Sequence, residues 1–498
     1  MEGVLDGLAM LTPQTFLWMF VGVALCQVVV IIPGLSAHLV LALILPFLYT
    51  MDPASAIGLL IGAAATSGTG NTITAVLFAV PGSPAGIATL FDGHPMAQRG
   101  EAGRAILAGL ISSALGGVVG SVVLVLFLPL AYPLVTIIGP SELFILALLA
   151  LAFLAFLGDG NVVKGLAAGG LGLLIAFIGQ ESSTGALRYT FGQLSLWDGI
   201  SIAAVAIGLF GVAEMLELIA RGGAIANTEG ATYRRYPLSS SFRDLAANWR
   251  TVLQSSALGS LIGLLPGIGG ASSQFVAYGA AKRTSKHKEE FGKGRIEGVI
   301  AADASVNATD SASLAPSLAL GIPGSPITAL VLAGVVIIGV RPGPDLLTDN
   351  VAFLWLVIFV LVIANVIGVA LCVMAIRPLA RLTFVPAVYL VPPILAFALF
   401  GVVEADGSFA SIPVVLALGV LGYLMKKHGY SRATLIIGFV LADLLERNLL
   451  LALSIDGPAF LLHSTPALII IGLAVAALTF AGIRGRRKKE KANVAHTR

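Results

Sequence analysis

Hydrophobic residues occur along most of this chain in continuous runs and not in an alternating pattern. Segments 351–376 and 466–483 are apolar over the length of a membrane crossing, which takes roughly 20 residues in a helix. Continuous runs predict helices, because membrane β-strands alternate apolar and polar positions. At roughly 20 residues per crossing, the pattern predicts about 12 transmembrane helices. We therefore expect an all-α integral membrane protein.

The apolar pattern is interrupted twice by the same tetrapeptide, Pro-Gly-Ser-Pro. The two copies occupy residues 81–84 and 323–326. Proline and glycine stop a helix, and Ser-Pro is a favourable pair for starting one. Each copy therefore predicts that one helix ends and another begins, giving broken or re-entrant helices. Paired breaks in two halves of a chain are typical of a transporter binding site.

Other features recur in the same order in both halves. A Pro-Gly pair precedes each tetrapeptide, and a polar stretch with an asparagine lies between them, at 69–72 and 306–310. The longest polar interruption, 221–250, separates the halves. We predict a first transmembrane repeat over 1–222, a cytoplasmic linker over 223–250, a second repeat over 251–483 and a basic cytoplasmic tail over 484–498.

The distribution of basic residues predicts the orientation of these repeats. Between its Pro-Gly breaks the second half is basic over 282–295, whereas the matching stretch near 50–52 has no basic residue. After the tetrapeptides the bias reverses, with Arg99 and Arg104 in the first half. Because basic loops stay in the cytoplasm, we expect inverted-topology repeats, a periplasmic N-terminus and a cytoplasmic C-terminus. The basic tail is interpreted as a topology anchor; the alternative is a patch for nucleic acid or acidic lipid.

Composition agrees with this class, since 57% of residues are hydrophobic and 11% are charged. The 58 glycines suit close helix packing. Three Gly-x-x-x-Gly pairs are candidates for helix contacts: 58/62, 116/120 and 259/263. No Walker A, His-Glu-x-x-His or Gly-x-Ser-x-Gly motif occurs. We therefore predict that the protein is not an enzyme, and that uphill transport would need an ion gradient.

The polar stretch 303–313 is the main candidate for coupling chemistry. Ionisable groups in an apolar membrane region are expensive and point to function, and carboxylate, amide and hydroxyl oxygens suit a small hard cation. The candidate cation ligands are Asp303, Asn307, Thr309 and Asp310. Thr69, Asn71, Thr72 and Thr74 are their expected partners from the first half. The alternative is hydrogen bonding that only holds helices together.

The helix breaks suggest where an anionic substrate would bind. A helix N-terminus offers free N–H groups and a positive dipole end, which favour a carboxylate. The candidate substrate-binding residues are Pro33, Gly34, Ser36, Asn71, Thr72, Pro81, Gly82, Ser83, Pro266, Gly267, Asn307, Pro323, Gly324 and Ser325. The alternative is a tight turn between two full spans. His38 is a candidate proton relay, or simply a capped or pore-facing histidine.

Several ordered motifs resemble one known family. They are the stretches at 33–34, 90–100, 139–143, 185–192, 264–270, 291–298, 321–325 and 341–344. In these residues the chain is similar to the large membrane subunit of the bacterial tripartite tricarboxylate transporters. The resemblance covers nearly the whole chain.

This resemblance implies a secondary transporter of the bacterial inner membrane that imports a small di- or tricarboxylate such as citrate. Its expected partners are a small four-helix membrane subunit, a periplasmic solute-binding protein and the lipid bilayer, with no nucleic acid and no cofactor. Coupling to Na⁺, or alternatively to H⁺, is expected. The competing interpretations are a passive anion channel, a transporter for a non-carboxylate solute, an intramembrane enzyme, and a scaffold whose partner performs the transport.

Overall fold

The computed structural model describes residues 2–464, 467, 468 and 472, except for 33, 81–82, 158–161, 182–184, 222–235, 266–268, 349 and 383–385. Helices dominate the described chain. The first half contains α1 (Glu2–Ala9), α2 (Pro13–Val30), α3 (Ala37–Ile44), α4 (Pro53–Ala65), α5 (Asn71–Phe78), α6 (Ile87–Gln98), α7 (Ala102–Ile137), α8 (Pro140–Leu157), α9 (Val162–Ala176), α10 (Ile202–Ala206) and α11 (Ala213–Arg221).

The second half continues in the same style. It contains α12 (Leu238–Ala247), α13 (Trp249–Gly263), α14 (Gly269–Thr284), α15 (Ile296–Ala312), α16 (Leu314–Leu320), α17 (Pro326–Ile337), α18 (Pro344–Thr348), α19 (Val351–Leu382), α20 (Ala387–Asp406), α21 (Ser411–Lys427), α22 (Arg432–Asp456) and α23 (Phe460–His463). A π-helix, Ile207–Val212, joins α10 to α11. Strands β1 (Gly179–Gln180) and β2 (Leu187–Arg188) form a small antiparallel hairpin, with Gly179 opposite Arg188.

Five helical segments in the described residues are long and apolar enough to cross a membrane. They are Pro13–Val30, Ala102–Ala131, Ile202–Ala220, Val351–Ile376 and Val388–Asp406. Further apolar helices, such as Pro53–Ala65 and Pro326–Ile337, are shorter than a crossing. The all-α membrane class is confirmed, while the number of about 12 spans stays a prediction.

Helix breaks occur where the sequence predicts them. Ala79 follows the last residue of helix α5 and has a φ of 54°, and Gly321 follows the last residue of α16 and has a φ of 70°. This left-handed conformation stops a helix. Within each tetrapeptide the serine caps the next helical segment: Ser83 accepts a hydrogen bond from the N–H of Ala85, and Ser325 accepts one from the N–H of Thr328. Both halves thus run helix, break, short helix, tetrapeptide, helix.

Glycines bring the central helices into close contact. A Cβ added at Gly58 or Gly62 of α4 would lie within 2.7 Å of a carbonyl oxygen of α2. Added at Gly259 or Gly263 of α13, it would lie 2.4 Å from a carbonyl oxygen of α15. The third pair, 116/120 on α7, meets α15 in the same way. Helix α15 is therefore held between α7 and α13 by backbone contacts that only glycine permits.

Of the predicted linker 223–250, the structure describes residues 236–250, which include α12. Asp244 of α12 accepts two hydrogen bonds from the Arg104 guanidinium of α7, at 2.9 and 2.8 Å, and the Tyr236 hydroxyl donates to the same carboxylate. This part of the linker is therefore attached to the first half. The predicted tail at 484–498 lies outside the described residues.

Candidate functional site

One face of α15 carries three polar side chains that point toward the first half of the chain. Asp303, Asn307 and Asp310 are spaced four and three residues apart, which places them on one side of a helix. The Thr89 hydroxyl donates to Asp303 Oδ1 at 2.7 Å, and the Ser67 hydroxyl donates to Asp310 Oδ2 at 3.0 Å. We call Asp303, Asn307 and Asp310 the acidic face of α15.

Asn307 occupies the middle of the acidic face and joins three parts of the chain. Its Nδ2 donates to Thr69 Oγ1 and to Asn365 Oδ1, both at 3.0 Å. Thr69 belongs to the break between α4 and α5, and Asn365 belongs to α19. The predicted meeting of the two polar stretches is therefore present in the structure.

The fourth candidate cation ligand, Thr309, lies on a different side of α15. Its hydroxyl donates to the carbonyl oxygens of Gly259 at 2.9 Å and Ser305 at 2.7 Å. Gly259 is on α13, so Thr309 holds α13 against α15. This is the helix-joining role that the sequence left open as an alternative.

Four buried side-chain oxygen atoms of the two polar stretches make no hydrogen bond of ordinary distance and angle among the described residues, although Thr72 lies beside the Asp303 carboxylate. They are Asp303 Oδ2, Asn307 Oδ1, Asn71 Oδ1 and Thr72 Oγ1. Such atoms are costly to bury unless something satisfies them. Gly109 of α7 borders one of these oxygens and the side chain that carries another, since a Cβ added there would lie 2.2 Å from Asp303 Oδ2 and 2.6 Å from the Thr72 methyl carbon Cγ2. The donor set suits a small cation.

The first Pro-Gly-Ser-Pro is connected to this region through Asn71. The Asn71 Nδ2 donates to Ser83 Oγ at 2.8 Å, and Ser83 Oγ also accepts from the N–H of Ala85 at 3.3 Å. Pro81 and Gly82 lie outside the described residues. The start of this helical segment is therefore already hydrogen-bonded to the polar stretch of its own half.

The second copy is similarly engaged by its own half. The Gly324 N–H donates to Ser317 Oγ at 3.3 Å, and the Ser325 N–H donates to Thr328 Oγ1 at 2.8 Å. Ser325 Oγ in turn accepts a hydrogen bond from the N–H of Thr328, and Pro323, two residues before Ser325, is also buried. A carboxylate binding here must replace these internal bonds, because they already use the N–H groups.

Helix α14 touches both tetrapeptides. Its first residue, Gly269, places an added Cβ 3.8 Å from Ser325 Cβ, and Gly270 places one 3.3 Å from Asp310 Oδ1. Further along, the Gln274 side chain donates to Pro84 O and accepts from the N–H of Ala88 at 2.8 Å. Gln274 is fully buried. The helix after the second Pro-Gly pair thus bridges the two breaks, while Pro266 and Gly267 themselves lie outside the described residues.

The first Pro-Gly pair has a different neighbour. Ser36 donates through its hydroxyl to Glu214 Oε1 at 2.7 Å and through its N–H to Oε2 at 3.3 Å. Gly34, at a φ of 93°, makes the preceding turn, and Pro33 lies outside the described residues. Ser36 was predicted to bind substrate, and in this structure a carboxylate of the protein itself occupies its donors.

Comparison with known proteins identifies the family. Residues 16–437 match the family described as "Tripartite tricarboxylate transporter TctA family". The chain belongs to this family. It is therefore a membrane subunit of a tripartite tricarboxylate transporter, as the motifs indicated.

Two relatives of this TctA-family chain come from Agrobacterium vitis, and both are described as uncharacterized. A 52.8 kDa protein in the TAR-I ttuC' 3' region is 34% identical over 484 residues, which cover 96% of each chain. A protein in the TAR-II ttuC' 3' region is 34% identical over 233 residues, which cover 46% of this chain and 96% of the relative. No solved structure matches.

Sequence reasoning missed four side chains that complete the polar contacts of this TctA-family protein. They are Thr89, Gln274, Asn365 and Glu214. Glu214 carried a usable signal, because a charge within an apolar segment points to function. The neutral residues carried none, since serine, threonine and amide side chains are common in membrane helices.

Proposed function

We propose that this membrane subunit imports a small di- or tricarboxylate of the citrate type by cation-coupled alternating access. The observation that carries the proposal is the group of four unpartnered buried oxygen atoms at the acidic face of α15. These atoms come from both halves of the chain. The chain itself belongs to a family of tricarboxylate transporters.

The coupling cation would be held between Asp303 and Thr72, which both border Gly109, with Asn307 one turn along α15 as a further ligand. Asp303 supplies the charge, and the amide and hydroxyl oxygens complete a neutral shell, which suits Na⁺ as a transported ion. Na⁺ binding would give the orphaned oxygens the partner they lack. H⁺ is the alternative coupling ion, taken up by Asp303 itself. Asp310, half-buried beside Ser67, is the second acidic candidate.

The substrate carboxylates would bind at the tetrapeptide breaks, near Ser83 and Ser325. Each break has a serine, a start of a helical segment and a connection to the polar stretches. The Ser317 and Thr328 hydroxyls accept hydrogen bonds from the N–H groups of Gly324 and Ser325 at the second break. A carboxylate that replaces them would exchange neutral hydrogen bonds for charge-assisted ones, which are roughly twice as strong.

The same order of elements in both halves supports an inverted-repeat architecture. The order helix, break, short helix, tetrapeptide, helix occurs in both halves. The basic loop follows the tetrapeptide in the first half and precedes it in the second, which favours opposite orientations of the two halves in the membrane. With this topology the N-terminus is periplasmic and the C-terminus cytoplasmic, in the inner membrane. A small four-helix subunit and a periplasmic binding protein complete the proposed transporter.

Uptake by the reconstituted three-part transporter tests the proposal. Proteoliposomes are offered radiolabelled citrate, malate or tartrate with an inward Na⁺ gradient, with equal Na⁺ on both sides, or with choline in its place. We expect accumulation only with the gradient, and its loss in Asp303→Asn. Gradient-independent flux, or single-channel conductance in planar bilayers, would favour the passive channel instead.

A further inference from the structure

A second ionisable cluster surrounds Glu214 on α11. This carboxylate is 2% exposed and lies in a segment long and apolar enough to cross the membrane, Ile202–Ala220. Its two direct hydrogen-bond donors among the described residues are the hydroxyl and the N–H of Ser36. Ser36 precedes α3, yet its hydroxyl does not cap that helix. An ionisable group held this way at membrane depth points to function.

His38 extends the hydrogen-bonded chain from Ser36. The His38 Nδ1 lies 3.3 Å from Ser36 Oγ, and its ring stacks on Phe210 at a centroid distance of 5.0 Å. Ser36 and His38 are partly exposed, whereas Glu214 is buried. The chain of polar atoms thus leads from a partly exposed imidazole through a hydroxyl to a buried carboxylate.

Among the described residues, two basic side chains lie on the helices that face Glu214. The nearest cation is Arg432 of α22, whose Nη2 lies 3.9 Å from Oε1, beyond hydrogen-bond distance. Its Nη1 donates instead to Leu209 O at 2.9 Å. Lys426 of α21 pairs with Glu217, one turn further along α11. Arg432 therefore forms a long ion pair with Glu214 that includes no hydrogen bond between the two side chains.

The backbone around this cluster is irregular on two sides. Leu209, the acceptor for Arg432, belongs to the π-helix Ile207–Val212, and π turns occur frequently at functional sites. Gly34 makes a left-handed turn just before Ser36. On the remaining side, α20 presents an apolar surface, with Val391 packed against Met215 and Leu218.

From this geometry we infer that Glu214, Ser36 and His38 form a proton-exchange site. The inference rests on the proposed transport function and adds a proton site to it. The His38 imidazolium passes its Nδ1 proton to Ser36 Oγ as the Ser36 hydroxyl proton passes to Glu214 Oε1. A neutral imidazole and a neutral carboxylic acid result, and the reverse transfer restores both charges. The imidazole then exchanges its proton with water on the accessible side.

Two measurements test the inference, with Glu217→Gln as a matched control from the same helix. Infrared difference spectra of the purified protein between pH 8 and pH 4, roughly the range over which imidazoles and carboxylates take up protons, report protonated carboxylic acids. We expect a carbonyl-stretch band in wild type and in Glu217→Gln that is absent in Glu214→Gln. In proteoliposomes with the partner subunits and internal pyranine, citrate, malate or tartrate uptake should acidify the lumen, and Glu214→Gln should lower that proton movement at least tenfold.

The same band in Glu214→Gln, or uptake by wild type without proton movement, would overturn the inference. If Glu214→Gln does not assemble, Ser36→Ala decides, since it keeps Glu214 and Arg432 and removes only the bridging hydroxyl. We expect Ser36→Ala to slow proton movement at least tenfold, and an unchanged rate would overturn the relay. The infrared result stands even when none of the tested carboxylates is transported, and that failure would count against the proposed function alone.

Discussion

Replacing Gly109 with alanine tests whether the acidic face of α15 binds a cation. Gly109 lies on α7, against Asp303 Oδ2, which is one of the four unpartnered oxygens. An alanine Cβ would lie 2.2 Å from that oxygen and 2.6 Å from Thr72 Cγ2, whereas ordinary contact begins at 3.4 Å. The carboxylate oxygen must therefore withdraw by about 1.2 Å or turn away.

The expected effect on stability is small, but the expected effect on cation binding is large. Added volume in a packed interior costs about 1–3 kcal/mol, and alanine is about 1 kcal/mol better than glycine within a helix. Gly109→Ala should thus fold with a loss of about 0–2 kcal/mol. A contact to a charged group contributes about 1.5–3 kcal/mol, so the loss of this ligand should weaken Na⁺ binding about 10- to 100-fold.

Stabilisation of the folded protein by Na⁺ measures the change in Na⁺ binding, and it requires no knowledge of the substrate. The melting temperature of the purified protein is followed as NaCl replaces choline chloride at constant ionic strength, since a ligand that binds the folded state raises it. Gly170→Ala on α9 is the matched control, because nothing lies within 4 Å of a Cβ added there. Equal Na⁺ dependence in Gly109→Ala and Gly170→Ala would refute the reasoning.

Four further substitutions separate cation binding from roles in holding the fold together. Asn307→Ala removes two hydrogen bonds and should weaken Na⁺ binding about tenfold. Thr309→Val should lower the melting temperature and leave its dependence on Na⁺ unchanged. The reverse pattern would contradict the assignment of Asn307 to cation binding and of Thr309 to helix contact. Gln274→Leu should cost about 1–3 kcal/mol and slow vesicle uptake, and wild-type uptake would argue against the α14 bridge. The Arg104 guanidinium holds the pKa of Asp244 below its usual range in the folded protein. This pair therefore stabilises the fold above about pH 4, and the stabilisation is lost as the pH falls through the lowered pKa of Asp244 in the folded state. Melting curves of Asp244→Asn should therefore lack part of the wild-type acid dependence, and identical pH profiles would exclude this contribution.

The helix breaks were predictable because their cause is local. Proline lacks a backbone donor and serine caps the next turn, so the tetrapeptides mark helix boundaries wherever they fall. The grouping of Asp303, Asn307 and Asp310 was also predictable from helical spacing. The same spacing puts Thr309 on another side of α15, which explains its contact with α13.

Thr69 was an expected partner and accepts a hydrogen bond from Asn307, but the other partners of these polar side chains were not predictable. Ser67 and Asp310 are 243 residues apart, and Ser36 and Glu214 are 178 apart. The sequence alone determined an apolar all-α chain with paired breaks, since hydropathy and backbone chemistry act over a few residues. Only the tertiary structure decided which polar atoms are satisfied and which are left open, because that depends on how closely glycine lets the helices approach.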